Sequence, residues 1–184
     1  MTQENDKQWN TILHFWYDEC SPADWFKKSD AFDTLLTERF GRLHQEVLEG
    51  VHSDWRRSPQ GRVAEIILLD QFSRNMFRDT PQAFASDYLS LSLSQELISQ
   101  GLDVNLESKY RKFAYMPFMH SENLEIQKRG IKLFKKLGIE DTLNYMIAHH
   151  DVIARFGRFP HRNAILGREN SWEELLYLEE NGGF

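Results

Sequence analysis

The sequence predicts an all-α protein, and three observations carry that reading. Apolar residues recur at intervals of three and four along most of the chain, which is the spacing of amphipathic helices. Runs that alternate apolar with polar residues, the mark of half-buried strands, are not found. Helix start and stop signals then cut the chain into pieces of helical length. About seven to nine helices, stacked as antiparallel pairs in a bundle or a helical-repeat array, are expected in a single domain over residues 1–184.

The elements follow in order. Trp9, Ile12, Leu13, Trp16 and Tyr17 form the apolar stripe of a first helix over Asp6 to Glu19, which Ser21-Pro22 ends. Trp25 and Phe26 read as a hydrophobic plug. Ser29 or Asp30 caps a second helix, whose stripe runs from Phe32 to Leu48 before Gly50 stops it. Ser58-Pro59 is an N-cap followed by proline at the first helical position, so a third helix starts there and runs to about Phe77. Thr80-Pro81 repeats the signal for a helix carrying Phe84, Tyr88, Leu91, Leu97 and Ile98 as far as Gly101. A short aromatic segment, Arg111 to Phe118, is expected to end or kink at Pro117. Ser121 is expected to cap the next helix, with Glu122 and Glu125 in its first turn, Lys132, Lys135 and Lys136 near its end, and Gly138 beyond. A helix over Asp141 to Phe156 follows, and Ser171-Trp172-Glu173-Glu174 reads as a capping box that opens the last one.

Bulk composition narrows the function. A chain of 184 residues with 41% hydrophobic residues can bury one full core. Its net charge of -6 argues against nucleic acid, which needs a basic face to replace phosphate counterions. The single cysteine, Cys20, allows no internal disulfide and suits a reducing cytosol. Met1 to Gln8 lacks the basic start and apolar run of a secretory signal, and no apolar run approaches membrane-spanning length. A soluble cytoplasmic protein with no membrane partner is expected.

Polar chemistry gathers in three segments. Ile66-Ile67-Leu68-Leu69 points all round its helix, so that helix is enclosed, and Asp70, Gln71, Arg74, Asn75 and Arg78 beyond it are not a solvated face. Asp70 precedes Arg74 by one turn, the favourable order for a helical ion pair, and an enclosed carboxylate needs such a cation. A structural pair that locks the helix to a neighbour is the plain alternative. Met116 to Glu122 forms a rigid turn that delivers His120 and Glu122 to a helix start. His149 to Asn163 crowds three histidines, three arginines, Asp151 and Asn163 into a helix end and the turn that leaves it. Asp151 again precedes Arg155 by one turn, while His149 falls on the apolar stripe of Tyr145, Val152, Ile153 and Phe156 and reads as a core histidine. From Arg155 to Arg168 there are four arginines and no acid, an island suited to carboxylate or phosphate. His120, Glu122, His149, Asp151 and His161 are metal-ligand types, but without a metal-binding spacing such as His-Glu-x-x-His no metal site is assigned. Neither a phosphate loop nor a nucleophile elbow is present, and no cofactor is implied.

Three stretches carry a resemblance: Leu68-Leu69-Asp70-Gln71-Phe72-Ser73-Arg74-Asn75-Met76-Phe77-Arg78, Pro117-Phe118-Met119-His120-Ser121-Glu122, and Ile153 through Asn163. With the Phe15-Trp16 and Trp25-Phe26 pairs, Leu166-Gly167-Arg168 and the terminal Gly-Phe, they resemble the bacterial family catalogued as domain of unknown function 924. The resemblance implies an all-helical, tetratricopeptide-like fold and brings no activity with it. Two positions depart from the family pattern, His150 in place of a frequent arginine and Ser73 in place of a frequent proline.

The leading expectation is a binding domain whose three segments form one polar pocket for a small anionic ligand, or for an acidic or C-terminal peptide segment. Its candidate ligands are Asp70, Gln71, Arg74, Asn75, Arg78, His120, Glu122, Asp151, Arg155, Arg158, His161, Arg162 and Asn163. The rival is a hydrolase-type enzyme with His120, His149 or His161 as acid or base and arginines stabilising negative charge.

Overall fold

The structure, a computed structural model, describes residues 2–183, with side chains from Gln8 onwards. Met1, and Phe184 of the terminal Gly-Phe, lie outside the described residues. Every regular element described is helical, as the apolar spacing requires. No described helix is long and apolar enough to cross a membrane. Two compact units are present, one of Met1–Arg78 with Gln82–Pro117 and one of Asp79–Pro81 with Phe118–Phe184.

In the first unit, α1 (Thr2–His14) runs into a π-helical turn, Phe15–Glu19. α2 (Asp30–Leu48) starts at Ser29, whose hydroxyl accepts from the Phe32 N–H as an N-cap should. α3 (Pro59–Ile67) is capped in the same way by Ser58, which accepts from Gly61. A second π-turn, Leu68–Phe72, joins α3 to α4 (Ser73–Met76). α5 (Gln82–Ala85), α6 (Asp87–Ser99) and the start of α7 (Ser108–His120) complete the unit. Phe15, Phe40 and Phe72 form the middle of its core, with ring centroids 5.0 to 5.9 Å apart. Gly61 packs so tightly on the preceding 3-10 turn that a Cβ there would fall 2.3 Å from the Trp55 carbonyl oxygen.

Three expectations change in this unit. Only Trp25 serves as a plug: it stacks on Trp16 and donates its indole N–H to the Trp16 carbonyl at 2.9 Å, while Phe26 is exposed. The helix after Thr80-Pro81 is broken at Ser86, whose φ of -94° and ψ of 0° are not helical, so Tyr88 leaves the expected stripe and is 82% exposed. Pro117 neither ends nor breaks α7, which continues to His120. A helical proline costs about 3 kcal/mol. Burying Phe118 and Met119, which the continued helix achieves, returns about 1.5–3 kcal/mol each.

In the second unit, α8 (Leu124–Leu137) and α9 (Glu140–Phe156) pack as a hairpin through Gly138, whose φ of 77° makes the left-handed C-cap. Gly130 lets them approach, since a Cβ there would meet Met146 Sδ at 2.8 Å. The N-cap of α8 is Asn123 rather than Ser121, because the Asn123 side chain accepts from both Glu125 and Ile126. Glu122 therefore lies outside the helix. α10 (Trp172–Asn181) begins with the expected capping box between Ser171 and Glu174. Val152, Ile153 and Phe159 form a small core beside Phe156 and Tyr177, whereas Tyr145 is exposed and drops from the expected stripe.

Candidate functional site

The polar residues that end the α3–α4 helix are engaged within the first unit. Asp70 is fully buried and lies 3.6 Å from Arg74, so the pair expected from their spacing is present. It is not the dominant one, because Arg74 forks onto Asp87 at 2.7 and 3.0 Å. Burial alone would lower the Arg74 pKa, but Asp87 and Asp70 together hold it above the ordinary arginine value. Gln71 donates to Asp70 at 2.5 Å, and Asn75 donates to the Gln71 carbonyl at 3.0 Å. Arg78 forks onto Asp33 at 2.6 and 2.9 Å and also donates to Asn75. Buried His44 meets Ser73 at 2.7 Å, and burial pushes its pKa down to about 4. These residues staple α2, α4 and α6 together.

In the second unit the His120 turn and the Arg155–Asn163 turn come together. Glu122 accepts both arms of Arg168, at 2.8 and 3.0 Å, and the Phe159 backbone N–H at 2.8 Å. Burial would raise the Glu122 pKa, but the Arg168 and Phe159 hydrogen bonds outweigh it and hold the carboxyl below its ordinary value. That clamp fixes the 3-10 turn Pro160–Arg162, which buries Arg162 and Asn163. Arg162 donates to the His120 carbonyl at 3.0 Å and lays its guanidinium 4.6 Å over Phe159. His120 and His149 have ring centroids 6.2 Å apart, and His149 and His161 each lie 5.6 Å from Phe159.

His149 behaves as the stripe predicts. Its Nδ1 lies 2.8 Å from the Tyr145 carbonyl, which can only accept, so Nδ1 carries the proton and the neutral ring keeps Nε2 as an acceptor. Burial is the main cause that takes its pKa down to about 3, and positive charge on His120, His161 and Arg162 adds to it. Those Coulombic couplings place the four groups within one local field. Among the described residues, no three His, Cys, Asp or Glu side chains are grouped closely enough to hold a metal ion.

The remaining candidates do different work. Arg158 forks onto buried Glu174 at 2.7 and 2.8 Å and reaches the Glu169 carbonyl. This contact, ahead of the Ser171 N–H and the Asn163 amide, takes the Glu174 pKa down to about 2. Asn163 donates to Asn170 at 2.7 Å. Asp151 and Arg155 do not repeat the Asp70–Arg74 arrangement: exposed Asp151 meets His150 at 3.0 Å, and exposed Arg155 lies over Phe156 and Tyr177. The arginine island is thus offset by acids from outside its own segment, Glu122 and Glu174. Sequence reading passed over Arg168, Phe159 and Glu174 as site residues, although Arg168 was counted in the island and Glu174 in the capping box.

The fold and site together define a wholly helical protein with a histidine–arginine cluster in its second unit. It belongs to the family described as bacterial protein of unknown function, domain of unknown function 924, whose model matches residues 12–182. It is also similar to a solved structure, a protein of unknown function (ATU0120) from Agrobacterium tumefaciens, at 37% identity and a TM-score of 0.91 over 96% of this chain and 99% of that one. No curated protein matches the chain.

Proposed function

We propose that the protein is a cytoplasmic binding domain whose second unit takes a small anion, the carboxylate or phosphate of a small molecule or peptide end, at His120, His161 and Arg162. The observation that carries this reading is the gathering of three imidazoles and a guanidinium around Phe159, close enough for His120, His161 and Arg162 to depress the His149 pKa. An anion among these groups relieves their mutual repulsion and accepts charge-assisted hydrogen bonds. Arg158 and Arg168 do not contribute ligands in this reading, because Glu174 and Glu122 already neutralise them. The helical hairpin of α8 and α9 supports a tetratricopeptide-like frame for it, and the single cysteine supports the compartment.

The same cluster supports binding better than hydrolysis. A histidine with a pKa of about 3 is a weak general base near neutral pH, so His149 serves as a neutral hydrogen-bonding wall.

Titration with inorganic phosphate and with acetate, followed through the histidine side-chain NMR signals, tests the reading. The His120 and His161 signals should shift and saturate. His161→Gln should weaken binding about tenfold, the loss of one charge-assisted hydrogen bond, without lowering the melting temperature in the absence of ligand. Linear, unsaturable shifts in both variants would sink the proposal.

A further inference from the structure

Two consecutive glycines follow α10, and each meets a different constraint. Gly182 has φ 68° and ψ -146°, a backbone region essentially restricted to glycine. It turns the chain off the helix. Gly183 then lies against His161 so closely that a Cβ built on it would stand 2.9 Å from His161 Cβ and 3.2 Å from Cγ. No side chain fits in that space. The backbone beyond α10 therefore covers part of one wall of the anion site described above.

The helix that carries this segment is anchored mainly at its start. Ser171 and Glu174 make the capping box, Glu174 takes the Arg158 fork, and Tyr177 packs on Phe156 with ring centroids 5.3 Å apart. On its outer side Trp172, Leu175 and Leu176 are exposed. An element held at one end and lightly buried elsewhere belongs to the part of a fold that opens most readily.

We propose that Gly182-Gly183 is a strap over His161, and that it must lift before a small anion gains full access to the cluster. The strap sets the affinity of the site. This inference rests on the anion-binding reading. Binding that requires a minor open state is weakened by the fraction of time that state is populated, so a strap open about 10% of the time reduces affinity about tenfold.

Gly183→Val and Gly182→Ala in the full chain test it. The first cannot hold its side chain at the His161 contact, and the second cannot hold the Gly182 backbone conformation without strain. Two readouts separate the strap from the site. In buffer free of phosphate and carboxylate, diethylpyrocarbonate modification of His161, read by peptide mass spectrometry, should be several-fold faster in both variants, while buried His149 remains protected. In phosphate titrations the variants should bind up to about tenfold more tightly than the parent, the limit for a strap open about 10% of the time. Unchanged modification of His161 in both variants would overturn the strap whatever happens with phosphate. Faster modification with unchanged or weaker phosphate binding would overturn its control of affinity. A parent and variants that all fail to bind phosphate or acetate would overturn the anion-binding reading, and the strap's role with it, even if His161 becomes more reactive.

Discussion

Glu122 shows how much one side chain can organise. Its two oxygens take the Arg168 fork and the Phe159 N–H, and so hold the turn that presents His161 and Arg162. Removing it by Glu122→Ala leaves a half-buried guanidinium and a backbone donor without their acceptor, at a cost of about 2–3 kcal/mol. Urea unfolding should show that loss, and Glu122→Gln should recover part of it by keeping one acceptor oxygen. The sequence marked Glu122 because it stands next to His120 before a helix, but Arg168 is 46 residues away and only the fold brings them together. The two aspartate–arginine pairs make the complementary point. Asp70–Arg74 and Asp151–Arg155 have the same spacing, yet burial forces the first to pair, and water leaves the second apart. Spacing offers an ion pair; desolvation enforces it.

Elements were most legible at their ends. Ser29, Ser58 and Ser171 cap the helices they were expected to cap, and Gly138 and Gly157 close α8 and α9 in the left-handed region, because these devices depend on residues within one turn of each other. Ser58→Ala should cost about 1 kcal/mol, read as a fall in the thermal midpoint. Two glycines inside helices test packing instead. Gly61→Ala drives its methyl into the rigid Trp55 backbone, whereas at Gly130 the nearest atoms belong to the pliable Met146 side chain. Chemical denaturation should therefore show Gly61→Ala destabilised by about 2–4 kcal/mol, even after the gain in helix propensity, and Gly130→Ala by less. The break at Ser86, the continuation past Pro117 and the π-turns escaped sequence reading. Each is decided by what the segment buries, not by its own residues.

For the molecule as a whole, acid sensitivity should be shared between the units. His44 in the first has a pKa of about 4 and His149 in the second about 3, both below the ordinary value of 6.5. Between those folded values and 6.5 the unfolded chain binds more protons, so stability is full above about pH 6.5 and declines as pH falls. Each histidine contributes a slope of up to about 1.4 kcal/mol per pH unit. Urea unfolding at pH 7 and pH 5 should differ by about 3 kcal/mol in total. His44→Gln and His149→Gln should each flatten part of that dependence. The all-α class was legible because helical spacing repeats over the whole length; the grouping into two units was not, since no linker or change of composition marks it.

The π-turn at Leu68–Phe72 gives this helix an unusual response to a change of length. Such a turn holds one residue more than an α-helical turn over the same rise. Deleting a single residue there would let the backbone relax into a continuous α-helix with its hydrogen bonding intact. Everything downstream would then arrive about 100° round the axis, since an α-helix turns 3.6 residues per revolution. Arg74 would swing away from Asp87 and Arg78 from Asp33. The backbone would tolerate the shorter chain, but the ion pairs would not, so the extra residue sets the angular register of the chemistry that follows it.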